Sequence, residues 1–282
     1  MFQSFKNIES FPVKHVSGFR KLSIGTWRDA YDPSMYGFLT VDTRPIDAWL
    51  KHVSETHAIK LTYTHFIIRA LAEFFKQDPD ANAYLRFQRP QRRKHVTAFV
   101  QVAIASDDHH KVDLSGVTLR QLETKSIVDI AIEIRNRAQK IRGGEDAEFS
   151  KAKKALAAIP FCLMFPFIQL MGFISYTLNI KLKALGLGED PFGTFMITNI
   201  GSLGLELGLA PLVPYSRCGL VIAVGKTSMK AIVTPDGRIE AAPVLNLTGT
   251  FDHRLFDGFH GAKLVNFFTA ACANPSAVLG DQ

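Results

Sequence analysis

The stretch Asp252-His253-Arg254-Leu255-Phe256-Asp257-Gly258 holds the residue types best suited to proton transfer in this chain. The strand-like run VLNLTGTF leads into it, and a helical pattern begins just after Gly258. An imidazole at a strand end, followed four residues later by a carboxylate at a turn, suits general-base chemistry. General-base catalysis needs an imidazole that can exchange a proton near neutral pH, and a turn-borne carboxylate can fix nearby geometry. The same residues allow a structural reading, with Asp257 as a helix N-cap and His253 as a satisfied core histidine. Spacing alone leaves both open.

The elements around this turn read as a mixture of helices and strands. Tyr36 to Asp42 is strand-like, and Ile46 to His57 carries an apolar stripe at helical spacing. Tyr63 to Lys76 is a stronger helix, stopped by Asp78-Pro79-Asp80, and Ser126 to Ile141 is a third, ended by Gly143-Gly144. VTAFVQVAIA, FGTFMITNIG, GLVIAVG, KAIVTPDGRIEAA and VLNLTGTF read as strands, with Asp236-Gly237 at a hairpin turn. A helix from Gly261 to Cys272 follows. Without strict βαβ alternation, the expectation is an α/β chain of the α+β two-layer kind, a mixed sheet with helices on one face.

Composition sets outer bounds. The chain has 282 residues, 47% of them hydrophobic and 21% charged, which excludes disordered, collagen-like and disulfide-stapled classes. The length fits one large domain or two small ones. Net charge is +7, a basic balance that suits anionic partners. Cys162, Cys218 and Cys272 are scattered in apolar surroundings and read as reduced thiols. The N-terminal run has no apolar core of a secretory signal, so the expected location is cytoplasmic.

Read together, the motifs resemble a known family. His253-x-x-x-Asp257-Gly258 followed by FHGAKLVNFF resembles the catalytic signature of the chloramphenicol acetyltransferase superfamily. The fuller resemblance is to the catalytic domain of the dihydrolipoamide acyltransferases of 2-oxoacid dehydrogenase complexes. It rests on Phe19-Arg20-Lys21-Leu22, HFIIRALAEFFKQDPDANAYL, LRQLETKSIVDIAIEIRNRAQK and GTFMITNIGSLG, in order, and spans about Phe19 to Val278.

That resemblance implies a chloramphenicol acetyltransferase-like fold, a single catalytic domain over 1–282 and an acyl-CoA-dependent acyltransferase. Its acceptor would be a lipoamide-like thiol, or alternatively a hydroxyl or amine on a small or lipidic molecule. It implies His253 as general base, Thr198 as donor to the tetrahedral oxyanion, and Asp257 in a structural ion pair with Arg20, with Arg28 as competitor. Asn199, Gly201 and Gly258 fall at substrate- or coenzyme A-binding positions. Coenzyme A enters as a substrate, no metal is implied, and no lipoyl group lies on this chain. A lipoyl domain on a separate protein is then a partner, beside a homotrimer with active sites at its subunit interfaces. Nucleic acid is not expected.

Two departures stand out. Threonine replaces the family's serine at Thr198, keeping the hydroxyl while adding a methyl group and a stiffer χ1. From Ala155 to Ile180 there is no charged residue, with Lys151, Lys153, Lys154, Lys181 and Lys183 as flanks. Family members carry a short polar linker there. A full membrane crossing would separate the two halves of one core, and Pro160, Pro166 and Gly172 suit a broken helix better. The apolar helical insertion at 155–180 is therefore expected to contact another subunit, dip into a membrane surface, or line an acyl pocket. A non-catalytic, membrane-associated or assembly scaffold with the same fold is the other class of function.

Other signals are weaker. Gly225-Lys226-Thr227 lacks the first glycine of a P-loop and precedes a strand pattern. Asp107-Asp108-His109-His110 has metal-ligand residue types but reads as a solvated turn. Arg86, Arg89, Arg92, Arg93, Lys94 and His95 read as a solvated, basic hairpin tip, with coenzyme A phosphates or an anionic membrane as sharper alternatives.

Overall fold

The computed structural model describes residues 6–13, 32–105, 112–142, 159–182, 188–234 and 236–280. Arg20, Arg28, the Asp107–His110 group and Gly143-Gly144 lie outside the described residues.

The strands are β1 (Ser10–Pro12), β2 (Ser34–Asp42), β3 (Ala83–Arg86), β4 (Arg89–Arg93), β5 (Ala98–Ala105), β6 (Val112–Leu119), β7 (Phe195–Asn199), β8 (Leu220–Val224), β9 (Ser228–Val233) and β10 (Ile239–Asp252). The helices are α1 (Arg44–His57), α2 (Tyr63–Gln77), α3 (Ile127–Arg142), α4 (Phe161–Gly172), α5 (Gly258–Ala273) and α6 (Pro275–Leu279). The main sheet runs β2-β10-β8-β7-β5-β6, and β9 pairs with β10 outside that path. β7 is parallel to both β5 and β8, whereas β10 is antiparallel to β2, β8 and β9. The sheet is mixed, as expected from the sequence.

Local sequence explains the helices that cover it. α1 starts with Pro45 in its first turn and ends at Ala58, held left-handed at φ 50°. It buries Ile46, Trp49, Leu50 and Val53. α2 is opened by Thr62 in a reciprocal capping box with His65, and its buried face includes Phe66, Ile67, Leu71, Phe74 and Phe75. These residues meet the inner face of the sheet, where Phe195, Ile197, Leu220, Ile222 and Leu247 alternate inward. The Phe75 and Phe195 rings stack at 5.9 Å. Met196 and Val221 point to the other face, under Cys218, Leu212 and Val213.

The strand reading of KAIVTPDGRIEAA and VLNLTGTF is corrected in one respect. Ile239 to Asp252 is a single strand, pairing with β9 in its first half and with β2 and β8 in its second.

The basic hairpin is also corrected. β3 and β4 form the expected hairpin, closed by Phe87 and Gln88, but Arg93 is only 3% exposed. Its guanidinium meets the Asp190 carboxylate at 2.8 Å, donates to the Ala83 carbonyl and lies 4.8 Å from the centre of the Tyr84 ring. Lys94 pairs with Glu9, and the His95 ring sits 2.7 Å from Glu123. Successive residues of a strand face opposite ways, so a basic run need not share one environment.

The described part of the apolar insertion is α4 followed by a π-helical turn, Phe173–Thr177. Its end is tied to the β1-β4-β3 sheet. The Asn7 amide donates to the Asn179 carbonyl, and the Asn179 side chain bonds both the amide and the carbonyl of Ile8. Tyr176 packs against Ile8 and Tyr84.

Candidate active site

His253 leaves the end of β10 in a turn whose backbone is closed by its own neighbours. The Leu255 and Phe256 amides both donate to the Asp252 carbonyl, and the His253 amide donates to the Pro33 carbonyl at 2.8 Å. The Asp252 carboxylate takes Arg254 Nε at 2.9 Å and Nη2 at 2.7 Å, and both residues are buried. A buried, two-pronged pair of this kind holds position more than it adds stability. Asp252 and Arg254 flank His253 two residues apart, a symmetry visible in the sequence but given no role there.

His253 Nδ1 is 2.7 Å from the Phe256 carbonyl oxygen. A carbonyl only accepts, so Nδ1 carries the proton and the basic lone pair is on Nε2. That is the tautomer a general base requires.

Asp257 caps α5, accepting from the His260 amide at 3.1 Å and lying 2.6 Å from His260 Nδ1. The His260 contact follows from i,i+3 spacing on a first helical turn and was not read from the sequence. Gly258, the first residue of α5, is exposed.

Thr198 is half-buried near the end of β7. Asn199 organises the turn beyond it: its Oδ1 accepts from the Ser202 amide, and its Nδ2 donates to Thr64 Oγ at 3.3 Å. Gly201 packs so closely on Gly225 that a Cβ would lie 2.5 Å from the Gly225 carbonyl oxygen. Only glycine fits there without moving backbone. Beside this turn, burial pushes the His65 imidazole down to about 4 from its ordinary 6.5, while its Nδ1 accepts from the Thr62 amide.

The two halves do not meet within one chain. Thr198 pairs with Ala223, Ala223 pairs with Thr248, and His253 lies five residues further along β10. At about 3.4 Å per residue and 4.8 Å per strand, that is a separation of roughly 20 Å.

Two recesses stand out, one of them beside the site. An apolar one of about 210 Å³ lies between α5 and the inner face of β2 and β10, beside the His253 turn. The facing glycines Gly37 and Gly249 make room for the Phe251 ring in its floor, and Gly261 and Leu264 form its helical wall. A larger, polar recess of about 470 Å³ surrounds Arg93, Lys94, Arg120 and Asp190, and contains neither His253 nor Thr198. Among the described residues no group of three or more His, Cys, Asp and Glu side chains is placed to hold a metal. Gly225-Lys226-Thr227 runs directly into β9, as strand rather than P-loop helix.

The fold is a mixed sheet with helices packed on it, and its longest described strand ends in the His-x-x-x-Asp-Gly turn. The chain belongs to the 2-oxoacid dehydrogenases acyltransferase (catalytic domain) family, whose model matches residues 12–150 and 180–280. The unmatched stretch between them contains α4. Among curated proteins, the chain is 26% identical over 230 residues to the dihydrolipoyllysine-residue acetyltransferase component of the Bacillus subtilis pyruvate dehydrogenase complex, covering 81% of this chain and 41% of that protein. It is 24% identical over 264 residues to the mitochondrial counterpart in Dictyostelium discoideum, covering 92% of this chain and 34% of that protein. The chain thus spans less than half the length of these relatives.

Among solved structures, Azotobacter vinelandii dihydrolipoamide acetyltransferase superposes with a TM-score of 0.63 at 22% identity, covering 95% of this chain and 94% of that one. In that protein a serine, a histidine and an asparagine have been investigated for their role in the catalytic mechanism. A chloramphenicol acetyltransferase superposes with a TM-score of 0.51 at 12% identity, covering 93% of this chain and 99% of that one. The fold expected from the sequence is the fold observed.

Proposed function

We propose that this domain transfers an acyl group between coenzyme A and a thiol acceptor of the lipoamide type, with His253 as general base. The observation that supports the reading is the Nδ1 contact to the Phe256 carbonyl, which sets the tautomer with its basic lone pair on Nε2, the form that can take a proton from an acceptor thiol. The acceptor sulfur attacks the thioester carbonyl while Nε2 takes its proton. The tetrahedral oxyanion is met by the Thr198 hydroxyl. Collapse breaks the bond to the coenzyme A sulfur, which receives the proton back from His253.

The separation of Thr198 from His253 supports a site assembled from two subunits, so a homotrimer fits the reading. Asn199, Gly201 and Gly258 stand at substrate- or coenzyme A-binding positions in that site. Asp257 acts through the start of α5 and the placement of the turn, and its partnership with Arg20 belongs to the same proposal. The apolar recess beside the turn is where the acyl tail is accommodated. A lipoyl group is supplied by a separate protein or domain, and the location proposed is cytoplasmic.

The test is acyl transfer from acetyl-CoA to dihydrolipoamide, beside alcohol and amine acceptors. His253→Ala is expected to lower the rate by about 10²–10⁴ with the assembled mass unchanged. Full activity in that variant would overturn the assignment. Transfer to an alcohol or amine in preference to the thiol would replace the acceptor while keeping the base.

A further inference from the structure

We propose that the insertion and the β3–β4 hairpin together form a docking face for an anionic membrane surface. This rests on no part of the acyl-transfer reading, and it concerns the stretch that the family model does not match.

The first observation is the outer half of α4. At about 100° per residue, Leu163, Phe165, Pro166, Gln169, Leu170 and Phe173 share one half of the helix circumference. All are exposed, Phe165 by 73%, and Gln169 is the polar member of the set. At the edge of that face the helix is anchored by Gly172 against Tyr215, and Met164, Phe167, Ile168 and Met171 on the other side are partly buried. A helix on the surface of a water-soluble domain normally turns charged residues outward, and α4 does the reverse.

The second observation is the hairpin. Its two-residue turn, Phe87 and Gln88, has φ 49° and 59°. Such turns favour Asn-Gly, because bulky side chains are strained at positive φ. Here the strained position presents a phenylalanine ring that is 60% exposed. The hairpin is fastened to the insertion, since Arg86 Nε donates to the Thr177 carbonyl at 2.9 Å.

The third is charge. Arg86 and Arg89 flank the Phe87 tip. Lys6, bridged to Ile180, and Lys181, paired with Glu189, stand at the insertion's end. Exposed aromatic and leucine side chains rimmed by cations match a lipid boundary with anionic headgroups. A helix of 12 residues is about 18 Å long, short of the roughly 30 Å hydrocarbon core. Among the described residues no helix is long and apolar enough to cross a membrane. The geometry is that of a helix lying in the interface.

The test is co-sedimentation of the intact chain with phosphatidylcholine vesicles, with and without phosphatidylglycerol. Binding is expected to the anionic vesicles, to weaken with added salt, and to be slight on phosphatidylcholine alone. Phe165→Asp should lower the bound fraction about tenfold. Phe87→Asn should also lower it while leaving thermal stability equal or higher, because asparagine tolerates positive φ. Failure of the wild-type chain to pellet with anionic vesicles overturns the proposal, as does undiminished binding by Phe165→Asp. A lipid-free assembly that dissociates on Phe165→Asp would make a second copy the cover of this face and overturn it too.

Discussion

Thr198 and His253 stand at opposite ends of one sheet, linked by the cross-strand pairs Thr198–Ala223 and Ala223–Thr248 and by the four last residues of β10 that lead to His253. No rotation of either side chain spans that distance. A chain that uses both groups on one thioester must take them from two copies.

Subunit mixing tests this directly. His253→Ala and Thr198→Ala are each expected to be impaired as pure assemblies. Co-refolding the two variants should restore a measurable part of the transfer rate, since some interfaces then pair an intact Thr198 with an intact His253. Mixed assemblies no more active than either parent would show that the two residues do not share a site.

His65 sets an acid limit on stability. Its imidazole titrates at about 4 in the folded chain, against 6.5 ordinarily. The unfolded chain therefore takes up the proton first. Stability is full above pH 6.5 and declines as pH falls towards 4, by up to about 3 kcal/mol. Gln at this third helical position keeps the reciprocal cap with Thr62. His65→Gln should flatten the pH dependence of the urea midpoint between 6.5 and 4, and an unchanged slope would contradict the assignment.

The Arg93–Asp190 pair is expected to be costly to break. Both side chains are buried, so Asp190→Asn leaves a guanidinium without its counter-charge and should destabilise by about 3–5 kcal/mol. Arg93→Met together with Asp190→Leu should recover much of that loss. Chemical denaturation of the three variants measures it, and additive losses in the double variant would argue against coupling.

Gly261 offers a way to fill the recess beside the His253 turn. A Cβ there meets nothing nearer than Met35 Cε at 4.0 Å, and the helix tolerates leucine better than glycine. Gly261→Leu should retain transfer from acetyl-CoA and lower transfer from bulkier acyl-CoAs about tenfold. Equal losses for all acyl groups would place the acyl tail elsewhere.

Much of this was legible in the sequence because local signals agreed with the fold. The stripes at Ile46–Val53 and Phe66–Phe75, the Asp78-Pro79 stop and the alternation along Phe195–Thr198 each dictate one element. The His253 turn was found because its strand, histidine and aspartate are contiguous. Less local facts were hidden. The burial of Arg93 depends on Asp190, far along the chain, and the continuity of β10 depends on two different partners for its two halves. The His260 contact with Asp257 depends on side-chain direction at a helix start.

β10 also governs when the chain can fold. It pairs residues 244–252 with 42–34, so the edge of the main sheet closes only after nearly the whole sequence is available. Contacts of such long sequence separation pay loop-closure entropy before they return any stability, and they slow folding. During synthesis, β8 and β2 wait with unpaired edges until the segment carrying His253 has emerged. A ribosome-bound fragment ending before Ile239 is therefore an aggregation-prone species, and the strand that delivers His253 is also the one that ends that exposure.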